Sequence, residues 1–129
     1  MSRTRPLIAV VDDEESVRKS LRRLLSASRL DAITFASGQE FLDSLPIYRP
    51  DCLILDLQMP GLSGLDVQRH LADRRVQVPT IIITADDETR GRPASPSTVA
   101  YLCKPFEDHV LLATIARAVG EAPLEAPIP

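Results

Sequence analysis

The chain has 129 residues, of which 44% are hydrophobic and 26% are charged, and this composition is typical of a globular protein of one domain. Its net charge of −3 gives no electrostatic reason to bind a polyanion, so we expect no direct binding of nucleic acid by this domain. No stretch reaches the roughly 20 apolar residues that a membrane span needs. The first apolar run is cut off by acids too early for a signal peptide, so we expect a cytoplasmic protein with no membrane association.

Five short apolar runs have the length and composition of buried β-strands. Residues 7–11 form a continuous run, whereas residues 32–36 alternate apolar and polar side chains, as expected nearer a sheet edge. Further runs occupy residues 52–55, 80–84 and 99–103. The run at 80–84 is the richest in β-branched side chains, which predicts a central strand.

Helical patterns fill most of the gaps between these runs. The first pattern places apolar side chains on one face of a helix, namely Val17, Leu21, Leu24 and Leu25. A capping-box sequence that opens at Ser37 predicts the start of a second helix. Residues 65–72 can form a third helix with Leu65 and Leu71 as core contacts, and the last helix is expected to begin near Glu107.

Strands that alternate with helices predict an α/β fold with a doubly wound, five-stranded parallel sheet in the flavodoxin-like order 2-1-3-4-5. Residues 1–119 form the predicted domain, and the Pro-rich residues 120–129 are expected to be a tail or linker. The region 85–98 carries Gly and Pro and no helical stripe. We therefore expect the fourth helix to be shortened or missing, with at most one helical turn in residues 88–97.

Polar side chains stand at or just after the carboxyl ends of four predicted strands. They are Asp12, Asp13, Asp56, Thr84 and Lys104. Because open parallel sheets place their sites at these ends, we expect the side chains to converge on Asp56. Crowded carboxylates repel one another unless a cation neutralises them, and Mg²⁺ prefers such oxygen ligands. Together with an ammonium and a hydroxyl group, they predict a phosphoryl-transfer site in which Asp56 is the nucleophile.

Four sequence segments at these strand ends carry a resemblance to a known family. They are VVDDE at 10–14, LDLQMPGLSG at 55–64, IITA at 82–85 and KPF at 104–106. In combination they resemble the receiver domain of two-component response regulators, a CheY-like fold, and among its subgroups the FixJ-type regulators look most similar. The resemblance runs from Leu7 to about Val119.

The resemblance implies the chemistry of the site. Asp56 would take a phosphoryl group from a sensor histidine kinase in a self-catalysed step, and the protein would be a switch and not an enzyme. Asp13, Asp56 and the backbone carbonyl of Gln58 would bind Mg²⁺ directly, while Asp12 would act through water. Lys104 would contact the phosphoryl group.

The resemblance also implies how the switch is read. Thr84 and Tyr101 would be the coupled switch pair, the bond from Lys104 to Pro105 would be cis, and Gln58 and Asp86 would tune the lifetime of the phosphate. Dimerisation on phosphorylation and control of transcription, through a DNA-binding domain not in this chain, would be the output. The basic residues of the first helix face solvent by default, although the family's kinase-docking surface includes this helix: Arg18, Lys19, Arg22 and Arg23.

Three other functions compete with the phosphorylated switch. An aspartate-nucleophile phosphatase of the haloacid dehalogenase class needs a second acid at the place of Gln58. A flavodoxin-like FMN binder needs a loop that attracts phosphate after the first strand, where residues 12–15 are all acidic. A pseudo-receiver that takes no phosphate and acts as a protein-interaction module is the remaining alternative.

Overall fold

The computed structural model describes residues 5–85 and 97–120. Within these ranges the strands are β1 (Leu7–Val11), β2 (Asp31–Phe35), β3 (Cys52–Asp56), β4 (Thr80–Thr84) and β5 (Thr98–Cys103). The helices there are α1 (Glu15–Ala27), α2 (Gly38–Ser44), α3 (Gly64–Asp73) and α4 (Asp108–Val119). The predictions for a helix between β4 and β5, for Asp86 and for the tail after residue 120 lie outside the described residues.

The five strands form one parallel sheet in the order β2-β1-β3-β4-β5, as the sequence predicts. Every residue of β3 and of β4 is buried, whereas every residue of β2 is at least partly exposed. This difference follows the sequence, because continuous apolar runs suit strands covered on both faces and an alternating run suits an edge. The strand that ends in Asp56 is therefore the middle strand of the sheet and is fully buried.

The sheet separates two hydrophobic cores. Successive side chains of a strand point to opposite faces, so Leu53 and Leu55 pack with α2 and α3, while Cys52 and Ile54 pack with α1 and α4. Each helix contributes a short apolar stripe to its core; in α1 the stripe includes the buried Leu21 and Leu25. Helices on both faces fix the ends of the central strands relative to one another.

Two helices on one face of the sheet begin with side-chain caps. The Ser37 hydroxyl accepts from the Glu40 amide, as the capping-box sequence predicts, and the Glu40 carboxylate accepts from the Ala36 amide. At α3 the reciprocal pair is complete, because the Ser63 hydroxyl accepts from the Asp66 amide at 3.2 Å and the Asp66 carboxylate accepts from the Ser63 amide at 3.0 Å. These bonds fix where α2 and α3 start, above the carboxyl edge of the sheet.

The predicted core contacts of α3 are correct for Leu71 and wrong for Leu65. Leu71 is buried, but 46% of Leu65 is exposed. Six positions along an α-helix amount to a rotation of about 240°, so these two side chains cannot share one face. The buried face carries Val67, Gln68 and Leu71 instead, and the Gln68 amide donates to the Thr98 hydroxyl of β5 at 2.8 Å.

Both cysteines carry thiols, and Cys52 is fully buried in β3. Desolvation by burial is the main reason that the pKa of Cys52 rises to about 12. Among the helices of residues 5–85 and 97–120, none has both the length and the apolar character needed to cross a membrane.

Candidate functional site

The predicted site residues meet at the carboxyl edge of the sheet. β3 ends at Asp56, and β1 is followed directly by Asp12 and Asp13. β4 ends at the buried Thr84, and β5 is followed directly by Lys104. Since β1 and β4 flank β3 in the sheet, parallel pairing brings these positions together, as the sequence predicts.

The three aspartates form a compact acidic cluster. Carboxylate oxygens of Asp12, Asp13 and Asp56 all lie within 4.8 Å of one another. Asp12 is completely buried and Asp56 is 4% exposed, whereas Asp13 faces solvent. Like charges this close, two of them removed from water, favour the binding of a cation.

Lys104 is the cation that the chain itself supplies. Its ammonium group lies 3.3 Å from a carboxylate oxygen of Asp12 and 3.8 Å from one of Asp56. The Glu14 carboxylate lies 3.6 Å from the same ammonium group, a contact that sequence reasoning missed. The acidic run after β1 hinted at it, but only the fold shows that Glu14 turns back toward Lys104.

Asp12 is held by hydrogen bonds from several elements. Its amide donates to the Phe35 carbonyl of β2 at 3.1 Å, and its carboxylate accepts from the Glu14 amide at 2.9 Å. The Arg18 guanidinium donates to the Asp12 backbone carbonyl at 2.8 Å. Arg18 was expected on the solvated face of the first helix, and the structure corrects this because its side chain is half-buried against the site. Spacing alone does not predict that a residue in α1 reaches back to the loop before it.

The site shifts the proton affinities of its two central groups. Burial, followed by the nearby charge of Asp12, raises the pKa of Asp56 to about 6, against opposing effects of Lys104 and of the Gln58 amide. Burial alone would lower the pKa of Lys104, but the carboxylates of Asp12, Asp56 and Glu14 outweigh it and raise that pKa. An ammonium that stays charged beside these carboxylates suits the binding of an anionic group.

The loop after β3 is tied both to the Asp56 carboxylate and to the start of α3. The Gln58 amide donates to a carboxylate oxygen of Asp56 at 3.3 Å. The Gly64 amide, at the start of α3, donates to the Leu57 carbonyl at 2.9 Å. The side chain of Gln58 is exposed, so this residue acts on the site through its backbone. The loop thus joins the acid to the N-terminus of α3.

Thr84 ends β4, Tyr101 lies on β5, and Lys104 directly follows β5. The Thr84 carbonyl accepts from the Lys104 amide at 2.8 Å, which ties the ends of β4 and β5 together. Tyr101 is half-buried, pairs with Ile82 of β4 and packs against the core on the α2 and α3 side. The peptide bond between Lys104 and Pro105 is cis, as the resemblance implies.

The donor set fits a hard divalent cation. All three acids offer carboxylate oxygens, and Mg²⁺ prefers oxygen ligands, usually taking one or two carboxylates with water and phosphate oxygens. Asp13 is exposed at the outer side of the cluster, which leaves room for water and for a phosphoryl group. On this chemistry the cluster is a credible site for Mg²⁺.

The family described as response regulator receiver domain matches residues 8–116. The chain belongs to this family. Receiver domains of this family share the parallel sheet and the acidic edge described above, and the response regulator receiver protein of Burkholderia phymatum is similar in both sequence and structure. That crystal structure is 46% identical, has a TM-score of 0.78 and aligns with 90% of this chain and 96% of its own.

Two further relatives bear on the receiver domain's subgroup and metal. The transcriptional regulatory protein FixJ of Rhizobium meliloti is 36% identical over 113 residues, which are 86% of this chain and 55% of that protein. The response regulator TrrA of Thermotoga maritima was solved in complex with Mg²⁺ and BeF; it is 29% identical, with a TM-score of 0.79, over 88% of this chain and 98% of that one. The chain spans about half the length, or less, of the curated regulators that it matches.

Proposed function

We propose that this receiver domain is a Mg²⁺-dependent phosphoacceptor, and that Asp56 takes a phosphoryl group from a sensor histidine kinase. The observation that carries the proposal is the position of Lys104, whose ammonium group contacts both the buried Asp12 and Asp56. A carboxylate nucleophile, an acidic cluster for a metal ion and a fixed ammonium are the parts that phosphoryl transfer to an aspartate requires.

The proposed reaction exchanges one bond to phosphorus for another. An oxygen of the Asp56 carboxylate attacks the phosphorus of a phosphohistidine; the new P–O bond forms as the P–N bond breaks. The imidazole nitrogen leaves with the electron pair and takes up a proton. Lys104 would stabilise charge on the phosphoryl oxygens, and the Gln58 amide would keep the carboxylate in a fixed orientation.

Mg²⁺ would be held by Asp13, Asp56 and the backbone carbonyl of Gln58 directly, and by Asp12 through water. When bound, it would supply the positive charge that three neighbouring carboxylates need and would attract the phosphoryl oxygens. The contacts of the two acids support this division, because the buried Asp12 carboxylate is already engaged by the Lys104 ammonium and the Glu14 amide, whereas Asp13 is exposed beside it. Hydrolysis of the acyl phosphate would return the domain to its resting state.

Thr84 and Tyr101 would report the phosphorylation. Thr84 ends β4 next to the β3 strand that carries Asp56, and its hydroxyl could move toward a phosphoryl group there. Tyr101 lies on β5, three residues before Lys104, so a displacement of Lys104 would also move the backbone of Tyr101. Inward rotation of Tyr101 is the proposed consequence.

The proposed partners follow from the same chemistry. The phosphoryl donor is a histidine kinase in the cytoplasm, and the output is control of transcription in a longer regulator, with dimerisation on phosphorylation. Residues 1–119 would form the receiver unit and residues 120–129 a tail or linker. The net charge of −3 supports the proposal that this domain does not itself bind nucleic acid.

The test is phosphorylation by a small donor. The full chain is incubated with phosphoramidate or acetyl phosphate, with and without Mg²⁺, and its intact mass is measured. We expect a gain of one phosphoryl group that needs Mg²⁺ and that is lost in Asp56→Asn. Asp73→Asn is the matched control, because Asp73 is an exposed acid at the end of α3, far along the chain from the cluster.

Each outcome of this experiment distinguishes the proposal from its main rival. A mass gain that persists in Asp56→Asn would place the phosphate elsewhere and overturn the role of Asp56. No gain with any donor, in a chain that stays folded, would favour the interaction module that takes no phosphate.

A further inference from the structure

We infer that Arg18 is a positioning residue for the acids of the metal site. Its guanidinium holds the peptide group that joins Asp12 to Asp13. The inference rests on the proposed function, because it concerns how those acids meet Mg²⁺. Arg18 lies in the first turns of α1, six residues after Asp12, and donates to the Asp12 backbone carbonyl at 2.8 Å.

This hydrogen bond acts on a planar unit. The Asp12 carbonyl and the Asp13 amide belong to the same rigid peptide plane, so fixing the carbonyl also fixes the direction in which the chain enters Asp13. The Asp12 carboxylate is separately held by the Glu14 amide and by Lys104. Asp13 is exposed, and the peptide plane before it is the anchored part of its backbone.

The direction of the bond decides what Arg18 does. A guanidinium that contacts a carboxylate would compete with a metal ion for that carboxylate, but this one contacts a main-chain carbonyl. It therefore leaves the carboxylate oxygens of the cluster to the metal while it restrains their backbone. Hydrogen-bonded groups of this kind around metal ligands typically change metal affinity by about 10- to 100-fold when they are removed.

The side chain is also suited to this task by its surroundings. Arg18 is half-buried, whereas its helix neighbours Lys19, Arg22 and Arg23 are exposed. Lys19 pairs with Glu15 at the surface, and Arg22 donates to the Thr34 hydroxyl of β2 at 3.0 Å. Arg22 is thus a matched control: it lies one turn further along α1 and also makes one hydrogen bond, but to a surface strand rather than to the acids.

The experiment compares Arg18→Met, Arg18→Lys and Arg22→Met in the full chain. Mg²⁺ affinity is measured by calorimetry, and the Asp13 amide is followed by NMR during the titration. If Arg18 positions the acids, Arg18→Met binds Mg²⁺ about tenfold more weakly. We expect Arg18→Lys to have an intermediate Mg²⁺ affinity. Its ammonium group can reach the carbonyl but lacks the fixed, planar geometry of a guanidinium group. Arg22→Met matches the unsubstituted chain.

The sign of the change separates positioning from simple charge. Loss of a nearby positive charge alone would strengthen Mg²⁺ binding in Arg18→Met, and this result would overturn the inference. Unchanged affinity in a folded Arg18→Met variant would overturn it as well. A melting curve for each variant identifies the temperature range in which all of them are folded, so that affinity is compared only there.

Phosphorylation by phosphoramidate distinguishes a failure of this inference from a failure of the proposed function. At limiting Mg²⁺ we expect Arg18→Met to react more slowly than the unsubstituted chain, and at saturating Mg²⁺ we expect their rates to converge. A small donor is used because α1 is also the expected surface for a kinase. If the unsubstituted chain takes no phosphate, the proposed function fails; if it does and Arg18→Met behaves like Arg22→Met, only the inference fails.

Discussion

Gly64 lies directly against the backbone of Asp56. A Cβ atom built on Gly64 would lie 2.8 Å from the Asp56 carbonyl oxygen and 2.9 Å from the Leu57 Cα atom. Both are main-chain atoms of the central strand and its exit, and they cannot turn away as a side chain can. The start of α3 is therefore in contact with the residue proposed to receive the phosphate.

We expect Gly64→Ala to lower the free energy of unfolding by about 1–3 kcal/mol, because the added methyl group overpacks a closed contact. The variant should also take phosphate from phosphoramidate more slowly, since relief of the clash displaces Asp56. Urea unfolding and intact mass measure the two effects. Gly38→Ala is the control: its Cβ would meet the side chains of Val67 and Leu62, so it should lose stability but keep its phosphorylation rate in the folded state. Equal loss of rate in both variants would contradict this prediction.

Ionised Asp56 should destabilise the metal-free protein at neutral pH. The pKa of Asp56 is raised from an ordinary value of 3.8 to about 6. A carboxyl with a raised pKa contributes its full stability below the unfolded pKa and loses that contribution as pH rises through the folded pKa. We therefore expect Asp56→Asn to be about 1–3 kcal/mol more stable than the unsubstituted chain at pH 7, with the difference shrinking from pH 6 to pH 4.

Urea melts in the presence of EDTA, between pH 4 and pH 7, measure this difference. Added Mg²⁺ should stabilise the unsubstituted chain more than Asp56→Asn, because the ion binds the folded acids. Asp73→Asn, which removes an exposed acid outside the cluster, is the control variant in these measurements. The prediction is wrong if Asp56→Asn is the less stable protein at pH 7 without metal.

Cys52 should be unreactive in the folded chain. It is fully buried in β3, and its pKa is raised to about 12, so almost no thiolate forms at pH 8. In a Cys103→Ala background, we expect iodoacetamide to modify Cys52 only as fast as the domain unfolds. Mass spectrometry with increasing urea measures this. Modification at a rate proportional to reagent, without dependence on urea, would show that the thiol is accessible in the folded state.

The capping box of α3 should make a contribution to stability that is lost as the pH becomes acidic. The Ser63 amide and hydroxyl hold the pKa of Asp66 below its ordinary value. Stability from a lowered pKa is present above the unfolded pKa and is lost as pH falls through the folded one. We expect the stability of Asp66→Asn to fall less than that of the unsubstituted chain as the pH is lowered. Ser63→Ala should lower the free energy of unfolding by about 1 kcal/mol at pH 7.

Urea unfolding of both variants at pH 7 and near pH 3 measures these effects. Because the two residues cap the same helix, the double variant should lose less than the sum of the single ones. Additive losses would indicate that the two side chains act independently.

Much of the fold was predictable because its signals are local. The burial of β3 and β4 follows from their continuous apolar runs, and the alternating run of β2 marks an edge. The acids after β1 and β3, together with Lys104 after β5, were predictable as a site because parallel strands align their carboxyl ends. These residues are far apart in the sequence, and the predicted strand order is what brings them together.

The missed features depend on side-chain direction and on backbone contact. Leu65 was placed in the core because it is apolar, although the helical rotation from Leu71 excludes a shared face. The contacts of Glu14 with Lys104 and of Arg18 with Asp12 need side chains that turn back across the β1–α1 loop. No periodic pattern encodes such a turn.

The strands that lead to Asp56 and to Lys104 differ in how they are paired in the sheet. Within residues 5–85 and 97–120, β3 is paired with a strand on each side, whereas β5 is the last strand of the sheet and is paired with β4 alone. Lys104 directly follows this edge strand, so an anion that draws its ammonium group would pull on a strand that is paired with β4 alone among the described residues. The proposed nucleophile thus ends a strand that is paired on both sides, and its charged partner follows an edge strand, so phosphorylation would displace the edge of the sheet more easily than its centre.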